Sequence, residues 1–325
     1  MSAHSFSFSP ALRRRYGGGL KRVEARLVDI TAEPRGILGV ACQATLKAGG
    51  KRIRPMLTLL CARTDAALSE GVVRAAVAVE VLHMATLVHD DVLDRADLRR
   101  GRPTVVREFG VGQAVSAGNY LLSRAFSELS ATGAAAAVEA LSAAAVGLSE
   151  GEVMQRDQTR RIDLSVAQYE LRCERKTADL FAVACRLGAH LSNASRDHEA
   201  SLAEFGRLLG LAFQVFDDVL DCSGNEQETG KRPGADVRDG TITLPLLLAM
   251  EREPGLAELL ARDDLSPEDV DAVLSTVAST GAVARARDVA MRYIERARQT
   301  LDGCPSPVER ELLAEVADQV VARYN

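Results

Sequence analysis

Along most of the chain apolar residues return every three or four positions, and the runs between these stretches are short and rich in Gly, Pro and charge. No strand–turn–strand signal stands out. The spacing predicts one or two helices over residues 20–46, broken near Glu33-Pro34-Arg35-Gly36, one through Met56, Leu57, Leu59 and Leu60, and one from about residue 71 into the acidic residues at 90–94. Helices are expected next over 111–129, over 131–148 with an end near Glu150-Gly151-Glu152, from 169 to 191, and from about 201 to 221. Beyond Thr241 the pattern stays helical, and Ser266-Pro267-Glu268-Asp269 and Ser306-Pro307-Val308-Glu309 each set a capping Ser before a Pro and an acid.

Two places break the apolar pattern in the same way. Asp90-Asp91-Val92-Leu93-Asp94 recurs letter for letter as Asp217-Asp218-Val219-Leu220-Asp221, each after an apolar run. On a helix, residues four apart share a face, so Asp90 projects with Asp94 and Asp217 with Asp221, while Asp91 and Asp218 flank them. A single acidic run is usually a solvated helix face; an identical second copy argues against that here. Several carboxylates among apolar residues need compensation. Hard oxygen ligands suit Mg²⁺, which binds through one or two carboxylates and completes its shell with water and substrate phosphates. Two facing clusters would hold a diphosphate through metal bridges.

Cations accompany the acids. Gly49-Gly50-Lys51-Arg52-Ile53-Arg54-Pro55 places three of them at a helix start, a setting suited to an anion and otherwise a plain basic turn. His83 lies two turns before Asp90 on nearly the same face, with His89 beside Asp90. A lone His on an apolar face is more often a core residue, and the shared face favours substrate contact. Arg99 and Arg100, in the loop after Asp94, suit forked hydrogen bonds to phosphate. Lys176 is long enough to reach a phosphate, although an isolated Lys is usually solvated. Gln214 stands one turn before Asp218, and the Gly- and charge-rich stretch at 230–236 reads as a lid or else an ordinary surface loop.

With 325 residues, 47% hydrophobic and 26% charged, the chain can bury a large core, and 4% aromatic content without Trp strengthens the helical reading. A net charge of −5 with interspersed signs argues against broad nucleic-acid binding. The six cysteines lack C-x-x-C pairs, which suggests free thiols in a reducing cytoplasm rather than zinc or disulfides. Residues 1–19, where Arg13-Arg14-Arg15 precedes three glycines, lack the order of a signal peptide and read as a flexible arm. The nearest approach to a membrane span, around 75–88, contains Glu80 and His83 and falls short of ~18 uninterrupted apolar residues. No linker divides residues 20–325, so a single domain is expected.

Taken in order, GGKRIRP at 49–55, HDDVLD at 89–94 followed by RRGRPT at 99–104, Gly151-Glu152, Lys176-Thr177, FQVFDDVLD at 213–221 and GKRPGAD at 230–236 resemble the trans-prenyltransferases, the polyprenyl diphosphate synthases. The likeness spans about residues 49–245. It implies an all-α, single-domain antiparallel bundle around a deep central cavity, the type I isoprenoid synthase fold, usually as a homodimer. It also implies a reaction in which metal-assisted departure of an allylic diphosphate yields a cation. The double bond of isopentenyl diphosphate attacks that cation, a proton is lost, and water must stay out.

Carried onto matching positions, the resemblance implies that Lys51, Arg54, His83 and Arg100 bind isopentenyl diphosphate. Asp90, Asp91, Asp94, Asp217, Asp218 and Asp221 would serve Mg²⁺ directly or through water, with about three ions per site once substrate is bound. Arg99, Lys176, Thr177, Gln214 and Lys231 would face the allylic diphosphate, and the catalytic set is Asp90, Asp91, Asp94, Lys176, Gln214, Asp217 and Asp218. Two positions depart from the pattern: Thr241, where short-chain members commonly carry Lys, and Asn119, where Asp is frequent. The first removes one phosphate contact and leaves the metal chemistry intact.

Ala85 and Thr86, five and four residues before Asp90, are small where short-chain members have an aromatic plug. With Leu82 one turn below, they are expected to set product length, through an open tunnel and a product of about C30 to C50. The rival readings are a short-chain geranylgeranyl or farnesyl diphosphate synthase, a class I terpene cyclase, a regulatory subunit of a heteromeric synthase and a pure binding protein. A cyclase usually lacks the GGKRIRP site, a regulatory subunit tends to lose aspartates, and a binding protein has no need of two opposed metal clusters. A cytoplasmic protein is expected, with membrane contact on product release left open.

Overall fold

The computed structural model describes residues 9–63, 66–223, 233–304 and 306–322. Helices carry most of them: α1 (Pro10–Ala32), α2 (Gly36–Lys47), α3 (Ile53–Leu60), α4 (Glu70–Leu93), α5 (Val105–Phe109), α6 (Val111–Ser130), α7 (Ala135–Asp157), α8 (Val166–Cys173), α9 (Asp179–Leu191) and α10 (Arg196–Ser223). Short helices follow, and then Pro267–Ser279, Ala282–Thr300 and Pro307–Ala322. Among the described residues the only strands are β1 (Leu98–Arg99) and β2 (Arg102–Pro103), an antiparallel pair closed by Arg100 and Gly101 with φ of 54° and 74°. Two successive left-handed residues are what a tight hairpin turn demands. Strands of two residues leave no alternation to read, so the sequence pattern shows only a loop there.

The architecture turns on α4. Ser69 caps its start by accepting from Val72 N–H, and its apolar residues face α3, α6 and α9. By length and composition α4 would pass for a membrane span, yet most of it is buried within the protein and its Glu80 is ion-paired there. It is a core helix. The second aspartate-bearing helix, α10, packs on α9 and on Ala282–Thr300. One continuous cluster of buried apolar side chains runs from Leu12 to Val320.

Three sequence expectations change. Residues 10–19 are the opening turns of α1 and not part of an arm: Ser9 caps the helix, Leu12 and Tyr16 are buried, and Ser9 is held by Glu315 of the last helix. The arginines and glycines there masked a four-residue apolar spacing. Helix α7 does not end at Glu150-Gly151-Glu152 but continues to Asp157, so all three of those residues are helical. The helix expected over 169–191 is interrupted by a single π-helical turn, Glu174–Ala178.

Candidate active site

The π turn widens the helix locally, and such turns are frequent where side chains must be aimed. It carries Lys176 and Thr177. Gly151 on α7 permits the approach: a Cβ at that position would lie 2.7 Å from the Lys176 backbone nitrogen. Glu152 and Gln155 then accept from Lys176 Nζ at 2.6 and 2.9 Å. On the neighbouring residue, Thr177 Oγ1 donates to Gln214 Oε1 at 2.7 Å, and Gln214 Nε2 donates to Asp218 Oδ1 at 2.8 Å. Tyr169 completes the line by donating its hydroxyl to Asp218 Oδ2 at 2.6 Å. Arg172, itself buried, stands 5.5 Å over the Tyr169 ring and donates to Gln158 Oε1 and to the Ile242 carbonyl.

The acids occupy two kinds of place. Asp91 Oδ1 is 2.7 Å from both Nε and Nη2 of Arg99, Asp218 is held by Tyr169 and Gln214, and Asp221 accepts from the backbone N–H groups of Ala235 and Asp236 at 3.1 and 3.0 Å. The Asp90 carboxylate receives no hydrogen bond from the described residues, and Asp94 has Arg156 at 3.7 Å. Burial pushes Asp90 up to about 6, with Lys176 acting against it. Burial likewise pushes Asp218 up to about 7, opposed by its two hydrogen bonds. Asp217, from α10, acts on Arg54 across the site.

Among the described residues no three His, Cys, Asp or Glu side chains converge on a single point. That accords with Mg²⁺, which needs only one or two carboxylates and takes phosphate and water for the rest. Buried acids with raised pKa values are those a cation would return to their charged form. The donor set fits Mg²⁺, which Asp90 and Asp94 of the first cluster and Asp217 of the second would hold. Asp91, Asp218 and Asp221 stand behind them, engaged with protein donors.

A small cavity, open to solvent on one side, lies between α2, α4 and the β1–β2 hairpin. Gly49, Arg52, His83, Arg99 and Arg100 border it, with Met84, Leu87 and Val88 as apolar wall. Arg54 sits 4.6 Å over the Phe181 ring, and its Nε is buried without an acceptor among the described residues. Burial lowers its pKa to about 10, so it remains a cation at neutral pH. Burial and the surrounding arginines hold His83 well below the usual imidazole range. His83 is therefore a neutral hydrogen-bonding group here, not a charge.

Other expectations meet the structure unevenly. Arg99, assigned by resemblance to the allylic side, also borders the cationic cavity and is anchored on Asp91. Lys51 is half-buried at the entry to α3, and Lys231 lies outside the described residues with Gly230 and Arg232, whereas Ala235 and Asp236 of the supposed lid open the short helix Ala235–Asp239. Ala85 and Leu82 are each 1% exposed within the core, and Thr86 Oγ1 donates to the His83 carbonyl. None of the three borders the cavity. Thr241 is tied through its N–H to the Asp236 carbonyl, and Asn119 is exposed on α6. Sequence reasoning assigned no role to Glu152, Gln155, Tyr169 or Arg172. Seven residues separate Tyr169 from Lys176, which places them on one helix face, and that was the available signal.

A helical fold that sets one aspartate cluster against a cationic cavity, with Asp217 of the second acting on Arg54, defines an enzyme for diphosphates. Residues 36–277 match the family described as "Polyprenyl synthetase". The chain is 38% identical to heptaprenyl diphosphate synthase component 2 of Geobacillus stearothermophilus, over 92% of this chain and 93% of that protein. It is 34% identical to a geranylgeranyl diphosphate synthase of Methanosarcina mazei, over 87% and 89%. The crystal structure of a Caulobacter crescentus polyprenyl synthase with calcium and isoprenyl diphosphate superposes with a TM-score of 0.90 at 34% identity, covering both chains completely. The chain belongs to the polyprenyl synthetase family, the trans-prenyltransferases, and is a polyprenyl diphosphate synthase.

Proposed function

We propose that this synthase condenses isopentenyl diphosphate head to tail with allylic diphosphates in a Mg²⁺-dependent reaction and makes all-trans products of about C30 to C50. The observation that carries the reaction is the pairing of two unlike anion sites: a cavity walled by arginines, and carboxylates next to Lys176, Thr177 and Gln214. Mg²⁺, when bound, acts as a Lewis acid that neutralises the leaving diphosphate. Arg54, Arg100, Lys51 and His83 hold isopentenyl diphosphate. Lys176, Thr177 and Gln214 orient the allylic diphosphate, and Tyr169 keeps Asp218 in place for Gln214.

The longer product rests on the small side chains at Ala85 and Thr86 and on the heptaprenyl relative. Against it stand the buried packing of Ala85 and Leu82 and the geranylgeranyl relative, which favour a short-chain synthase as second reading. The Geobacillus relative is named as one component of its enzyme; here both aspartate clusters are intact, which supports a catalytic chain. Exposed Ile37 and Val40 on α2 and Val111 and Val115 on α6 support a homodimer. The six free thiols support a cytoplasmic location.

The test is product mass after incubation with Mg²⁺, isopentenyl diphosphate and farnesyl diphosphate. A ladder ending at about C30 or beyond supports the proposal, and a stop at about C20 gives the short-chain reading. Failure to elongate any allylic primer would overturn it in favour of a subunit or cyclase.

A further inference from the structure

Arg52 enters α3 in the left-handed region, with φ 51° and ψ 35°. That conformation is strained for a non-glycine residue, and it persists only where its surroundings hold it. Two carboxylates do the holding. Arg52 Nε donates to Glu24 Oε1 and Nη1 to Glu80 Oε1, both at 2.7 Å.

The two contacts differ in weight. The Glu24 side chain is 47% exposed and that of Glu80 only 4%. An exposed pair contributes little, whereas removing one partner of a buried pair strands the other charge. Glu80 also belongs to the same wall of α4 as His83, three residues on, and borders the cavity with it.

The consequence reaches the backbone of the loop. A Cβ at Gly50 would lie 2.7 Å from Arg52 Nη1 and 3.2 Å from Arg100 Nη1, so both guanidiniums close over the Gly50 backbone and a side chain there would push Arg52 from its place. Arg52 thus sits between a buried acid and the turn that presents Lys51 on one side and Arg54 on the other. The Glu80 charge further favours the cationic form of Arg54.

We propose that Glu80 is a positioning residue for isopentenyl diphosphate: by holding Arg52 it fixes the left-handed turn that sets Lys51 and Arg54 at the diphosphate. The inference rests on the reading of the cavity as the isopentenyl diphosphate site. Glu80 touches no substrate in this account; it acts through Arg52.

The experiment compares wild type, Glu80→Gln, Glu80→Asp and the R52E/E80R exchange in the full chain. Isopentenyl diphosphate binding is measured by calorimetry, and KM for each substrate and kcat by initial rates. Glu80→Gln is expected to weaken isopentenyl diphosphate binding and raise its KM about tenfold, with the allylic KM and kcat changed less than about twofold. Glu80→Asp and the exchange should recover part of the loss. Should Glu80→Gln fail to fold, Arg52→Lys, which keeps the charge but not both contacts, carries the same expectation. A parallel loss for both substrates would mark Glu80 as merely structural and overturn the proposal. Unchanged affinity in Glu80→Gln would overturn it alone, and a wild type that binds no isopentenyl diphosphate would overturn it together with the reading of the cavity.

Discussion

Tyr169 donates its hydroxyl to Asp218 Oδ2 at 2.6 Å, so the middle aspartate of the second cluster is oriented from another helix. Its other oxygen is taken by Gln214, which Thr177 holds in turn. Asp218 is therefore engaged by two protein donors and would serve the site by fixing Gln214. A hydrogen bond to a charged group contributes about 1.5–3 kcal/mol. Tyr169→Phe should lower kcat/KM for the allylic substrate about ten- to a hundredfold, and initial rates at saturating isopentenyl diphosphate would show it. An unchanged rate would remove Tyr169 from the site.

Lys176 donates to Glu152 and Gln155. A diphosphate offers it a stronger acceptor. Lys176→Ala should reduce kcat/KM for the allylic diphosphate by about a hundredfold while leaving the affinity for isopentenyl diphosphate unchanged. Equal losses for both substrates would mean that Lys176 supports the fold of α7 against the π turn instead.

Asp90 carries a pH dependence of defined sign. Its pKa rises from 3.8 in the unfolded chain to about 6 in the folded one. The folded state then holds the extra proton between about pH 4 and 6. Stability from this group is full below pH 4 and lost as pH rises through 6. Asparagine has no such loss, so metal-free Asp90→Asn should be more stable than wild type at pH 8, by roughly 1–2 kcal/mol, and equally stable at pH 4. Denaturant melts in EDTA at the two pH values measure the difference.

Ala85→Phe places a large ring in a packed core and should cost roughly 1–3 kcal/mol. If Ala85 lines the path of the growing chain, product masses shift downward. Unchanged masses in a folded variant would move control of length to Met84, Leu87 and Val88, which do border the cavity.

Much of this was legible beforehand because it is local. A repeated pentapeptide, a Gly-Gly turn followed by basic residues and a capping Ser before an apolar run are each written within a few residues, and the structure keeps α4 and α10 as aspartate-bearing helices. What escaped depends on contacts between distant segments. Tyr169 meets Asp218 across 49 positions and Lys176 meets Glu152 across 24, and no pattern along one helix encodes such a meeting. The opening turns of α1 escaped for another reason: arginines and glycines dominate the composition there, while only Leu12 and Tyr16 reveal the buried face.

The most direct measurement is calorimetric binding of isopentenyl diphosphate, and of an allylic analogue whose diphosphate cannot leave, each in EDTA and in Mg²⁺. A cavity walled by arginines would bind its diphosphate without metal, whereas a site built on Asp90, Asp94 and Asp217 would need metal to bind one at all. The account predicts that isopentenyl diphosphate affinity changes less than about threefold between the two conditions, while the analogue binds measurably only with Mg²⁺. Equal metal dependence for the two ligands would contradict the division of the site into a cationic half and a metal-bridged half.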